Sequence, residues 1–224
     1  LQLDALREIS NIGSGNAATS LSMLLNRQIN VSVPKVNIAP FAQVIEMIGG
    51  AEKEVAGGYL IVNSNTPMGI LFLLPCEQVP LFLNLLFATT SQEVNTASQL
   101  NELEKSALLE IVNILTGSYL NALGQFTGQI FVPSVPALSI DMAGAILGEV
   151  LQNIGNFSDY ALVIENVFLE KEKQIKGYLF LLPELQTLET LLTVKLVELI
   201  PTKIPPHLPC RGKQYQIKSS PPDK

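Results

Sequence analysis

The chain has 224 residues, 47% of them hydrophobic and 15% charged, which is enough to bury a sizeable core in one large domain or two small halves. Two cysteines and one histidine are too few for a disulfide framework or a four-ligand zinc site, and His207 lies in a proline-rich stretch unsuited to oriented catalysis. Residues 1–200 carry nine basic and nineteen acidic side chains, a balance that repels nucleic acid and anionic membranes and favours partners with basic or mixed surfaces.

The first half of the chain predicts a helix, a strand, a second helix and a hairpin. In chain order the predicted elements are a helix over 2–25, a strand over Ile29–Val33, a short helix over Phe41–Ile48 and strands over Gly58–Val62 and Gly69–Leu74. The stretch Asn63–Pro67 is typical of the turn that joins the last two strands. Pro75 is then expected to open a further helix, because proline is tolerated at the first helical position.

The second half predicts the same order of elements. They are a helix over 99–124, a strand over Gln129–Val132, a short helix over Met142–Asn153 and strands over Ala161–Leu169 and Lys176–Leu182. The charged stretch Glu170–Lys173 takes the place of the hairpin turn, and Pro183 is expected to open the last helix. Six strands with helices on the faces predict an α/β domain whose strands form one largely antiparallel sheet.

An internal repeat accompanies this parallel order. Asp4, Glu8 and Asn11 recur 102 residues later as Ser106, Glu110 and Asn113, and a proline follows each asparagine after twenty-two residues, at Pro34 and Pro136. Phe72–Pro75 recurs as Phe180–Pro183 at an offset of 108, which places a short insertion around Glu170–Lys176. We therefore predict an internally duplicated domain with pseudo-twofold symmetry, built from halves 1–97 and 98–200. The basic, proline-rich tail 201–224 is expected to be disordered or foreign to the natural chain, and we assign it no function.

The repeated side chains lie on one face of each predicted helix. At 100° per residue, Asp4, Glu8 and Asn11 fall within about 60° of one another, with Leu6 and Ile9 on the other side. The second copy projects in the same way. A competing explanation is that these residues form only the polar face of an amphipathic helix. The repeat does not exclude it, because a duplication preserves structural residues as well as functional ones. Asp4 and Ser106 fit best as helix-terminal or supporting residues.

A glutamate and an asparagine without histidine or metal suit one kind of chemistry. An asparagine amide can donate and accept hydrogen bonds, so it can orient a water molecule, but it is not a practical general base. It therefore needs a substrate that is already activated. A phosphoaspartate on a second protein meets that need, since that protein supplies Mg²⁺ and a lysine, and the remaining barrier falls when water is placed in line with phosphorus. The glutamate, one turn away, suits a salt bridge to the partner.

Two glycines, Gly13 and Gly15, follow the first asparagine inside the predicted helix. Small residues there would let a partner backbone approach Asn11, or would serve helix packing or a kink, and the sequence favours neither explanation. The second copy has Leu115-Thr116-Gly117 at these positions, so the two sites need not be equally active.

At these residues the sequence resembles the CheC family of chemotaxis phosphatases, which is related to CheX and FliY and whose signature is Asp/Ser-x3-Glu-x2-Asn-x22-Pro. The resemblance rests on the segment 3–18, on Ser106–Asn113 and on Pro34-Lys35-Val36, and it extends over about residues 1–200. Two signatures match CheC and FliY, whereas a CheX-like chain has one. The prolines of the signature, Pro34 and Pro136, count as supporting residues.

The resemblance implies a hydrolase that removes the aspartyl phosphate of the response regulator CheY-P in two-component signalling. Asn11 and Asn113 would orient the hydrolytic water, and Glu8 and Glu110 would bind the regulator. Mg²⁺ would come from the phosphorylated partner, with no cofactor or metal held by this chain. The resemblance also implies binding of CheD, for which the candidate surface is the segment containing Asp141, Ala143, Gly144, Ile146 and Leu147. An ordinary packed helix is the competing explanation of that segment.

Localisation, oligomeric state and two alternative functions remain to be stated. The longest apolar runs, such as Gly69–Pro75, are too short to cross a bilayer and no signal peptide is recognisable, so we expect a cytoplasmic protein without membrane contact, monomeric on its own. A first alternative is a FliY-type flagellar-switch phosphatase domain, which is disfavoured because no second module follows residue 200. The second alternative is a non-catalytic adaptor that sequesters CheD or CheY-P, and it would not need water-orienting amides.

Overall fold

The structure is a computed structural model that describes residues 2–63, 67–87, 100–154, 160–170 and 173–184. Five predictions lie wholly or partly outside these residues. They concern the two hairpin turns, the boundary at 97/98, the helix after Pro183 and the tail 201–224.

The described residues form five α-helices and seven strands. The helices are α1 (Gln2–Leu25), α2 (Phe41–Ile48), α3 (Val79–Phe87), α4 (Glu102–Thr127) and α5 (Ala143–Ile154). The strands are β1 (Asn30–Pro40), β2 (Glu54–Asn63), β3 (Met68–Pro75), β4 (Val132–Pro133), β5 (Ala137–Met142), β6 (Tyr160–Glu170) and β7 (Lys173–Pro183). A short 3₁₀ turn, Cys76–Gln78, follows Pro75 and leads into α3, so a helix does follow this proline, but the α-helix itself begins four residues later than predicted.

Local sequence signals explain where the helices begin and end. The backbone N–H of Glu104 donates to Asn101 Oδ1 (2.9 Å) and the Asn101 N–H donates to Glu104 Oε2 (2.8 Å), so a capping box starts α4 at Glu102. Helix α2 ends at Ile48 because Gly49, with a φ of 113°, turns the chain so that the N–H groups of Gly49 and Gly50 bond back to carbonyls of the last turn.

The first strand of the second half differs from its prediction. The sequence predicts a strand over Gln129–Val132, but the structure has the two-residue β4 and then β5, a strand that was not predicted. Pro133 and Pro136 have no N–H to donate to a ladder, so the chain bonds to β2 in two separate pieces. The sheet therefore has seven described strands, where six were predicted.

All pairs in the sheet are antiparallel, which confirms the predicted fold class of an α/β domain with helices flanking a largely antiparallel sheet. The strand order is β1-β6-β7-β3-β2, with β4 and β5 both pairing with β2 at the far edge. Each strand of the first half has a counterpart in the second: β1 corresponds to β5, β2 to β6 and β3 to β7. Replacing every strand by its counterpart gives the same order, read from the opposite edge of the sheet. At its centre, Leu71 pairs with Phe180 and Phe72 with Leu179. The arrangement is the one expected of two equivalent halves that exchange their first strand, although the duplication itself stays a prediction.

Helices cover both faces of the sheet. Alternate residues of β3 point in opposite directions, with Phe72 packing in one buried cluster with α1, α3 and α4 and Leu71 in another with α2 and α5. The two long helices that carry the repeated side chains therefore lie side by side on one face.

Helix α4 has the length and mean hydropathy, 1.2, of a membrane-crossing segment. In the structure, 56% of that apolar stretch is buried inside the protein. Because its apolar side chains pack against α1 and the sheet, we interpret α4 as a core helix.

Candidate functional site

The first Glu/Asn pair lies on the solvent face of α1. Glu8 and Asn11 are exposed, whereas Leu6, Ile9 and Ser10 between and before them are buried. A spacing of three residues in a helix brings the two Cβ atoms to about 5–6 Å. Asp4 belongs to the same helix, but its side chain lies outside the described part of the structure.

The second pair lies on the solvent face of α4. Glu110 and Asn113 are exposed, as is Ser106 one turn before Glu110. The residues that alternate with them are buried in the core, namely Leu108, Ile111, Val112 and Leu115. Both copies therefore present a carboxylate and a carboxamide, one turn apart, on the outside of a helix whose other side is anchored.

Tyr119 fixes the distance between the two helices. An ideal Cβ built on Gly13 of α1 would lie 2.5 Å from Tyr119 Cδ1, so the backbone of α1 rests directly on the aromatic ring. The Tyr119 hydroxyl donates to Asn166 Oδ1 (2.5 Å) in β6, and Asn166 in turn donates to the carbonyl of Ile164. Burial raises the pKa of Tyr119, so the hydroxyl remains a donor. This chain of contacts holds α1, and with it Asn11, against α4 and the sheet.

A second close contact seats α4 on the sheet. A Cβ at Gly58 of β2 would collide with the Val112 side chain, the residue immediately before Asn113. The absence of a side chain at Gly58 thus lets this turn of α4 approach the strand closely. Asn113 therefore lies on a helical turn whose inner side is fixed by the packing of Val112 on Gly58.

The two copies differ in their hydroxyl contacts. Ser14 Oγ donates to the backbone carbonyl of Asn11 (2.9 Å). Thr116, at the same position of the second copy, has a buried hydroxyl with no hydrogen-bond partner in the described structure. The surroundings of Asn11 and Asn113 are therefore similar but not identical.

The signature prolines mark breaks in the outer strands. The pairing of β1 with β6 shifts register between Ser32 and Lys35, which is where Pro34 stands. Pro136 is buried and separates β4 from β5. Since proline interrupts a ladder least at an edge or a bulge, both prolines have a structural explanation away from the exposed helix faces.

Three of the five residues predicted to bind CheD are not on the surface. Ala143, Ile146 and Leu147 are buried in the core between α5 and the sheet, so they are not available as a docking surface. Gly144 packs against Ala51, and only Asp141 of the five candidates is exposed. The buried positions agree with the competing explanation of a packed helix, and binding of CheD stays a prediction.

Other reactive groups do not add to the site. Burial, followed by the charges of Glu54 and Glu77, raises the pKa of the Cys76 thiol to about 11, so Cys76 is protonated and unreactive at neutral pH. Among the described residues, no three His, Cys, Asp or Glu side chains come together as metal ligands.

Tyr119 and Asn166 are not among the residues predicted from the sequence to matter for the site. Their signals in the sequence were a tyrosine in a largely aliphatic helix and an asparagine within the predicted strand Ala161–Leu169. A buried polar residue normally requires a partner, so each signal indicates a hydrogen bond without identifying the residue that completes it.

Comparison with known proteins places these features in a family. The sequence model of the CheC-like family matches two segments of the chain, residues 1–38 and 103–140, and each contains one Glu/Asn pair. The CheY-P phosphatase CheC of Bacillus subtilis is 32% identical over 192 residues, which cover 85% of this chain and 91% of that protein.

Solved structures share the fold. The crystal structure of FliY from Thermotoga maritima matches with a TM-score of 0.67 at 23% identity, covering 86% of this chain and 94% of that one. The middle domain of FliM from H. pylori matches with a TM-score of 0.62 at 8% identity, covering 86% and 97%.

Proposed function

Because the chain belongs to the CheC-like family, we propose that it is a cytoplasmic phosphatase that hydrolyses the aspartyl phosphate of the phosphorylated response regulator CheY. The observation that carries this proposal is the exposure of both Glu/Asn pairs on helix faces whose neighbouring residues are buried. An exposed pair on a firmly anchored helix can enter the active site of another protein without being displaced.

The asparagines orient the attacking water. An amide side chain offers a donor and an acceptor, so Asn11 or Asn113 can hold a water molecule in line with phosphorus while the receiver domain keeps Mg²⁺ and a lysine on the phosphoryl oxygens. The chain itself then needs neither a metal nor a general base. One well-placed group of this kind contributes about 2–4 kcal/mol of transition-state stabilisation.

The glutamates bind the regulator. Glu8 and Glu110 stand one turn before the asparagines and are exposed, so each can pair with a basic side chain beside the phosphorylation site. The excess of acidic over basic residues in positions 1–200 likewise favours a partner surface with basic side chains.

The length of the match favours a CheC-type protein over the flagellar-switch alternative. The chain spans 91% of the Bacillus subtilis CheC sequence but matches only 12% of FliY from the same organism. The adaptor alternative predicts binding of phosphorylated CheY without faster phosphate loss, and the following experiment separates it.

The test is phosphate release from CheY-P by wild-type protein, Asn11→Ala, Asn113→Ala and the double variant. Each single variant is expected to keep the activity of its intact copy, while the double variant loses about 30- to 1,000-fold, the equivalent of one lost water-positioning group per site. Asn121→Ala, an exposed asparagine of α4 outside the pairs, is the matched control and should retain full activity. Unchanged turnover in the double variant would reject the mechanism, and binding without turnover by the wild type would identify an adaptor.

A further inference from the structure

In the two helices that carry the Glu/Asn pairs, two glycines are not explained by packing against the described residues. A Cβ built on Gly15 of α1 or on Gly117 of α4 meets no heavy atom within 4 Å, and neither residue has a left-handed backbone. Gly13, by contrast, is pressed against the Tyr119 ring. A glycine inside a helix weakens it relative to alanine, so the fold alone would favour a side chain at Gly15 and Gly117.

Their position relative to the site is the same in both copies. Gly15 follows Asn11 by four residues, and Gly117 follows Asn113 by four residues. Residues four apart lie on one helix face, so each glycine opens the surface one turn beyond the water-orienting amide. Gly15 is exposed and Gly117 is partly exposed.

We propose that Gly15 and Gly117 provide clearance for the backbone of the docked receiver domain next to its phosphoaspartate. The inference rests on the proposed function. For an asparagine to hold water in line with phosphorus, the partner's loop must approach the helix surface to within van der Waals distance. A side chain at the next turn would hold that loop away, and a displacement of about 1 Å costs a positioned reaction about 100-fold in rate.

The experiment is a size series at Gly15 in the Glu110→Ala/Asn113→Ala background, which removes both the regulator-binding and the water-orienting side chain of the second site, so that the first site alone binds and dephosphorylates CheY-P. Alanine and leucine are both strong helix formers, so Gly15→Ala and Gly15→Leu stiffen the helix to a similar degree and differ mainly in volume. Gly148 of α5, which also has open space around its Cβ but lies on the other face of the sheet, supplies the controls Gly148→Ala and Gly148→Leu.

Two readouts are measured for each variant. The first is the Kd for CheY activated with beryllium fluoride, which mimics the phosphoaspartate, and the second is turnover of CheY-P. Gly15→Leu is expected to raise the Kd about tenfold, and Gly15→Ala by less, while the unfolding temperature stays the same or rises. The Gly148 variants should match the parent in both readouts.

Equal Kd values for the parent, Gly15→Ala and Gly15→Leu would overturn the inference. So would equal losses for alanine and leucine, because they would indicate a need for helix flexibility and not for space. A parent that binds without turnover would reject the proposed function, while the Kd series would still decide the role of Gly15. Absence of any CheY binding by the wild type would overturn both.

Discussion

Replacing Gly13 with alanine tests how the two long helices are held together. The added Cβ would lie 2.5 Å from Cδ1, 2.9 Å from Cε1 and 3.0 Å from Cγ of Tyr119, all closer than ordinary carbon contacts. The ring cannot swing away freely, because its hydroxyl donates to the buried Asn166. The clash must therefore be relieved by moving α1 away from α4.

Two opposing effects set the magnitude. Alanine stabilises a helix by about 1 kcal/mol relative to glycine, while an extra methyl group in a packed interface costs about 1–3 kcal/mol. Because a hydrogen bond holds the Tyr119 ring in place, the cost of the clash exceeds the gain in helix propensity. We therefore expect Gly13→Ala to lower the free energy of unfolding by about 1–2 kcal/mol.

The assay is urea unfolding followed by circular dichroism, with Gly15→Ala as the matched control two residues away. That control meets open space and should gain up to about 1 kcal/mol from helix propensity alone. A Gly13→Ala protein as stable as Gly15→Ala would refute the reasoning, because it would mean that the Tyr119 contact does not limit the approach of α1.

Three further predictions follow from the same structure. Tyr119→Phe leaves the Asn166 carbonyl without its donor and should cost about 1–3 kcal/mol in urea unfolding, whereas an unchanged midpoint would rule out a stabilising hydrogen bond. Asn101→Ala removes the cap of α4 and should cost about 1 kcal/mol in the same assay, and no change would mean that Glu104 alone suffices. Because its pKa is raised to about 11, Cys76 should be alkylated by iodoacetamide far more slowly at pH 8 than a cysteine in an unstructured peptide, and faster as the pH approaches 11. Peptide mapping measures the extent of alkylation at Cys76. Alkylation of Cys76 at pH 8 as fast as that of the cysteine in the unstructured peptide would contradict the prediction.

The bounds of a helix and the choice of its buried face depend on neighbouring residues, and the sequence predicted both. Helix α2 has the predicted bounds, Phe41–Ile48, and the apolar residues that the 100° projection places opposite Glu110 and Asn113 are buried, namely Leu108, Ile111, Val112 and Leu115. The exposure of both Glu/Asn pairs was predictable for the same reason.

The predictions that failed depend on contacts between distant segments. The apolar stretch Gln129–Val132 has strand composition, but Pro133 and Pro136 divide the pairing with β2, and β5 forms after them. Ala143, Ile146 and Leu147 pack on the sheet, and the sequence alone does not distinguish such a packed helix from an exposed docking face. The role of Tyr119 depends on Gly13, 106 positions away, and no periodicity reveals such a pair.

The most direct test of the central claim is the rate of phosphate loss from CheY-P saturated with the Asn11→Ala/Asn113→Ala protein. Saturation removes any effect on binding, so the rate reports the chemical step alone. If the amides orient the attacking water, the complex forms with wild-type affinity and CheY-P loses phosphate no faster than it does by itself. Phosphate loss at the wild-type rate in that saturated complex would contradict the account.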